Sequence, residues 1–132
     1  MTTSSEKNKK ILVIEEVEDD DTLRDVLYDN FTSSGFKVLR ARDGMEGLSM
    51  ARKERPDLIL LDLLLPKMGG IDMLRKLRED PKNKNIPVII FSNYSDNDKI
   101  ASAMELGAND YLVKSNWKLE DVMQKVKEKL GA

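Results

Sequence analysis

The chain predicts an α/β domain, a five-stranded parallel sheet with helices on both faces. Three observations carry that expectation. First, three apolar runs are too short for helices and continuous in the way of strands buried on both sides: Ile11-Leu12-Val13-Ile14, Leu58-Ile59-Leu60-Leu61 and Val88-Ile89-Ile90-Phe91. Second, stretches of helical periodicity fall between and after the strand-like runs, giving a β-α unit five times over. Third, 132 residues is the length of one domain, with no internal repeat and no linker.

Each element follows in order. The first strand is the run 11–14. A helix follows through Leu23, Val26, Leu27 and Phe31, with Gly35 after it. The second strand, residues 36–41, carries Lys37 and Arg40 and suits a sheet edge. Asp43 with Glu46 three residues on forms a capping box, opening a helix through Met45, Leu48 and Ala51. Pro56 and Asp57 precede the third strand. Its helix runs through Ile71, Leu74 and Leu77 and stops before Pro81. Pro87 precedes the fourth strand, and the next helix, through Ile100, Ala103 and Met104, ends at Gly107 in a left-handed turn. The fifth strand, residues 110–114, is short with charged ends and suits the other edge. The last helix is marked by Leu119, Val122, Met123, Val126 and Leu130.

Right-handed crossovers, with three interior and two edge strands, favour the flavodoxin-like, doubly wound order 2-1-3-4-5. Ligands of such sheets sit beyond the carboxyl ends of the strands, where the order reverses between strands one and three.

Composition excludes several classes. There is no cysteine and no histidine, which removes disulfides, thiolate sites, the usual zinc ligand and an internal phosphohistidine. The net charge is −2, giving no global field for nucleic acid or an anionic membrane. No apolar run approaches the ~20 residues of a membrane span, and the polar start is no secretory signal. Residues 1–9 read as a disordered tail, residues 10–132 as the domain, and the cytoplasm as its place.

The strand ends carry the chemistry. Asp62 ends strand three, Ser92 ends strand four and Lys114 ends strand five. After strand one comes Glu15-Glu16-Val17-Glu18-Asp19-Asp20-Asp21. Singly, each has a bland role: helix capping and dipole compensation for the acids, a turn, a cap, a surface lysine. Together they converge on one end of the sheet. Crowded carboxylates repel unless a proton or cation joins them, and oxygen-only donors favour a hard ion, Mg²⁺ before Ca²⁺. A carboxylate beside Mg²⁺ can attack a phosphoryl group, with a hydroxyl and an ammonium holding its oxygens.

At this point the chain resembles the receiver domain of two-component response regulators, of the chemotaxis-receiver type. The segments that carry the resemblance are 17–20, 57–62, 65–70, 88–92 and 106–114, with Pro66 and Gly70 four and eight residues past Asp62. That family is itself a type example of the 2-1-3-4-5 order, so the two expectations are not independent. The resemblance implies that Asp62 is the phospho-acceptor, Lys114 its ammonium partner, Ser92 the switch hydroxyl and Tyr111 the switch aromatic. It implies Mg²⁺, with Mn²⁺ as a substitute, held by Asp62, the Leu64 carbonyl and an acidic pair. Counting back from Gly35 and Asp62 names Glu18 and Asp19 as that pair, the favoured assignment, since it keeps the helix stripe from Leu23 in register. Counting forward from strand one names Glu15 and Glu16. The two counts differ by three residues, an apparent insertion.

Two further departures from the family pattern stand out. Ser115 replaces the usual proline after the lysine, so the Lys114–Ser115 peptide is expected trans. Asn93 follows Ser92 where a smaller residue is usual. The expected role is a stand-alone signalling receiver, not an enzyme beyond assisting its own phosphoryl transfer and autodephosphorylation. The expected donor is a sensor histidine kinase or phosphotransfer protein. The expected output is a downstream protein docking on helix four, strand five and helix five, with no direct nucleic-acid or membrane contact. The alternative is a pseudo-receiver, a binding module that is never phosphorylated.

Overall fold

The computed structural model describes residues 9–16 and 22–131. The elements are β1 (Lys10–Ile14), α1 (Thr22–Ser33), β2 (Lys37–Ala41), α2 (Gly44–Glu54), β3 (Leu58–Leu61), α3 (Gly70–Glu79), β4 (Val88–Ser92), α4 (Asn97–Glu105), β5 (Asp110–Val113) and α5 (Leu119–Lys129). A single 3₁₀ turn, Lys114–Asn116, links β5 to α5. All five strands are parallel, in the order β2-β1-β3-β4-β5. The expected fold and strand order are observed.

Successive side chains of a strand point to opposite faces, so each apolar run feeds two cores. Leu12, Ile14, Ile59, Leu61 and Ile90 face α2, α3 and α4. Ile11, Val13, Leu58, Leu60 and Ile89 face α1 and α5, packing on Phe31, Val122 and Val126. Every residue of β3 and β4 is buried, whereas β2 and β5 are partly exposed, as their charge requires.

The helix signals hold at their ends. Asp43 caps α2 by accepting the Glu46 N–H at 2.8 Å. Gly107 adopts φ +87°, the left-handed stop after α4. The described peptide bonds are all trans, Lys114–Ser115 included. Three stripe residues lie elsewhere than expected: Val26 is 38%, Met45 57% and Met104 44% exposed, Val26 because α1 turns Leu27 and Phe31 to the core instead. For the two methionines the reason is close packing. α2 meets the sheet at Gly47, where a Cβ would come within 2.6 Å of Ile14 Cδ1, so small residues mark its buried line. α4 buries Ala103 alone. Among the described residues no helix is long and apolar enough to cross a membrane.

Candidate functional site

The carboxyl ends of β1, β3, β4 and β5 bring four side chains together. The main chain of Asp62 extends β3 alongside β1, its N–H donating to the Ile14 carbonyl at 2.9 Å. Its Oδ1 accepts from Ser92 Oγ at 2.6 Å and from the Leu64 N–H at 3.0 Å. Its Oδ2 accepts from Lys114 Nζ at 3.0 Å. Lys114 Nζ also reaches Glu15 Oε2 at 3.3 Å. Glu15 is nearly buried, at 7% exposure, and its N–H donates to the Ala41 carbonyl at 3.1 Å.

The electrostatics follow from that placement. Burial alone lowers the Lys114 pKa, but the charges and hydrogen bonds of Asp62 and Glu15 outweigh it and hold the pKa above the ordinary lysine value. The ammonium also sits 5.6 Å from the Phe91 ring centroid.

A line of contacts leads away from Asp62. Ser92 Oγ accepts from the Tyr94 N–H at 3.2 Å, and the Tyr94 carbonyl accepts from the Tyr111 hydroxyl. Burial raises the Tyr111 pKa, and the charge of Asp62 adds to it.

The loop after β3 is shaped to bring Asp62 to the rim. A Cβ on Gly70 would come within 2.6 Å of Leu63 Cα and 2.7 Å of the Asp62 carbonyl oxygen, so the start of α3 touches the backbone of Asp62 itself. Lys67 takes φ +65°, and its Nζ lies 3.8 Å from Asp43 Oδ2, tying this loop to the cap of α2. The Leu64 side chain is 51% exposed.

Ser92 and Lys114 therefore both contact Asp62, Leu64 adjoins it through its N–H, and Tyr111 is joined to Ser92 through the Tyr94 main chain. Glu18 and Asp19 lie outside the described residues. Of the other pair, Glu15 is in the cluster and Glu16 is exposed. The described residues contain no group of three or more acidic side chains placed to hold a metal. Sequence reasoning missed the Glu15–Lys114 ion pair and the Tyr94 main chain as a link. Glu15 was signalled by its position directly after β1. The Tyr94 link uses only backbone groups, and no residue type announces it.

The response regulator receiver domain model matches residues 12–127. The chain belongs to that family. Sporulation initiation phosphotransferase F of Bacillus subtilis is 35% identical over 123 residues, covering 93% of this chain and 94% of that protein. A CheY-like receiver domain protein from Methanospirillum hungatei superposes with a TM-score of 0.83 at 27% identity, covering 95% of each chain. The Mn²⁺-bound form of response regulator Rcp1 superposes at 0.74 with 29% identity, covering 91% of this receiver and 90% of that chain. Against several curated transcriptional regulators, the matched part is 42% of their length. Receivers of this family are signalling proteins rather than conventional enzymes.

Proposed function

We propose that this receiver accepts a phosphoryl group on Asp62 from a sensor histidine kinase or phosphotransfer protein and thereby switches a protein-binding surface on α4, β5 and α5. The observation that carries the reading is the grip on one carboxylate: Ser92 Oγ at 2.6 Å on Oδ1 and Lys114 Nζ at 3.0 Å on Oδ2. A carboxylate oxygen attacks the phosphorus in line. The bond to the donor's imidazole nitrogen breaks as the new P–O bond forms, and the imidazole takes up a proton. Ser92 and Lys114 then hold the equatorial oxygens, where charge collects. Drawing Ser92 toward the phosphoryl group pulls on Tyr94 and so on the hydroxyl of Tyr111. Residues 10–132 form the receiver unit, and the setting is the cytoplasm.

The donors fit a hard divalent ion. Two carboxylates, Asp62 and Glu15, meet a single ammonium at the site, and every available ligand is oxygen. Asp62, the Leu64 carbonyl, Asp19 and Glu18 would hold Mg²⁺ or Mn²⁺. Glu15, whose Oε2 lies 3.3 Å from Lys114 Nζ, supports the other count, in which Glu15 and Glu16 are the pair instead. The ion, when bound, neutralises charge on the incoming phosphoryl group. Asp19→Ala is expected to weaken Mg²⁺ binding markedly while Glu16→Ala changes it little, read by titration calorimetry. A stronger loss in Glu16→Ala assigns the pair to Glu15 and Glu16.

The deciding experiment is incubation with acetyl phosphate and Mg²⁺, followed by intact mass. Wild type gains one phosphoryl group and Asp62→Asn gains none. An unlabelled wild type means a pseudo-receiver, and undiminished label in Asp62→Asn means another acceptor.

A further inference from the structure

α4 is the least buried helix of its layer. One of its nine residues is buried, against four of ten in α3. Its hold on the domain is therefore concentrated at its two ends. The N-terminal end follows segment 92–96, which Ser92 Oγ and the Tyr111 hydroxyl pin through Tyr94.

The C-terminal end is held by Arg78 of α3. Arg78 Nε donates to the Leu106 carbonyl at 3.1 Å and Nη2 to the Gly107 carbonyl at 2.8 Å. Nη1 donates to the Lys84 and Ile86 carbonyls at 3.0 and 2.7 Å. One planar guanidinium thus joins the carbonyls of the α4 cap, Leu106, and of Gly107 just past it to the connection between α3 and β4. Such terminal carbonyls have no partner within their helix, and they mark its negative end, so a cation fits them twice over. Gly107 makes room: a Cβ there would sit 3.2 Å from Nε. A lysine could not reproduce the fork.

We propose that Arg78 is the positioning residue of α4. It fixes the C-terminal end of the helix to the α3–β4 connection, so α4 moves by pivoting there. Displacement of segment 92–96 then reaches the α4–β5 face as a tilt rather than a slide. The clamp itself does not depend on Asp62 being the acceptor.

The test is amide hydrogen exchange on the full, unmodified chain, comparing wild type, Arg78→Gln and Tyr111→Phe. Arg78→Gln should lower protection of the Leu106, Gly107 and Ala108 amides by about tenfold or more, while Ile100 changes by less than about twofold. Tyr111→Phe should show the opposite pattern. Even loss across α3, α4 and the sheet, or no loss at residues 106–108, overturns the clamp. Arg78→Lys serves if the glutamine variant does not fold, with the same expectation for residues 106–108.

A second arm adds beryllofluoride and Mg²⁺. Wild-type amide shifts should decline from Asn97 toward Gly107, and that gradient should flatten in Arg78→Lys. An equal gradient in both overturns the pivot. A wild type that takes up no beryllofluoride overturns the acceptor reading instead, and the exchange comparison still decides the clamp.

Discussion

Lys114 and Arg78 are partly buried cations at opposite ends of the sheet, and they are held in opposite ways. Lys114 lies past the carboxyl end of β5 between two carboxylates, Asp62 and Glu15. Arg78 lies at the other end, beside the starts of β4 and β5, and its four hydrogen bonds all go to main-chain carbonyls. Burial acts on both in the same direction. It lowers the pKa of Arg78, where carbonyl dipoles do not offset it, whereas at Lys114 the carboxylates reverse the outcome. A cation held by carboxylates answers to any chemistry that changes a carboxylate. A cation held by carbonyls answers only to a movement of the backbone. One end of this sheet holds its cation with charge and the other with backbone dipoles.

The sharpest way to break the comparison is to remove each cation and follow label uptake from acetyl phosphate. Lys114→Gln is expected to slow phosphorylation by roughly 10²-fold, the scale of losing one group that stabilises transition-state charge. Arg78→Gln is expected to leave the rate within about twofold. A comparable slowing in both variants removes the distinction between the ends.

A smaller effect concerns how long a phosphoryl group stays on Asp62. Loss of the phosphoryl group needs a water aligned behind it. Leu64 and Tyr94, each two residues past a group that grips the site, offer no amide or carboxylate side chain to orient that water. Introducing Leu64→Asn with Tyr94→Glu is expected to speed decay by about one power of ten or more, measured after the donor is removed. An unchanged or slower decay rejects the argument that water alignment limits the decay.

The smallest effect is on stability at high pH. Folding raises the pKa of both Lys114 and Tyr111 above their ordinary values of 10.5 and 10.0. A group raised in the fold binds its proton more tightly there. Its contribution is complete below the ordinary value and lost as pH rises through the folded one. Urea midpoints should therefore hold steady from neutral pH to about 9 and fall above about 10. Lys114→Met and Tyr111→Phe should each flatten part of that fall, and Arg78→Gln should not.

What was legible in the sequence follows the same division. The strand order could be read because β1, β3 and β4 are continuous apolar runs while β2 and β5 carry charge. Asp62, Ser92 and Lys114 could be read because each ends a strand or follows one directly, so topology alone sends them to one place. Arg78 could not. It sits in a charged helical stretch with Arg75, Lys76 and Glu79, where an arginine reads as solvent-facing, and its partners are carbonyls that every residue possesses. Met45 and Met104 misled because α2 and α4 meet the sheet through small residues, which a stripe of large apolar side chains does not reveal. The acidic pair stayed divided because spacing counted from either side of an insertion gives different answers. Glu15 reaches Lys114 by its place after β1, whichever count applies to the others.

The Lys114–Glu15 contact joins positions 99 residues apart in the chain. Asp62 leaves the ribosome well before Lys114 does. A nascent chain at that stage displays the carboxylate without its ammonium. Asp62 therefore gains its ammonium only when the last strand docks, and under the proposed function an unfinished chain is expected to take up phosphoryl groups far more slowly than a finished one.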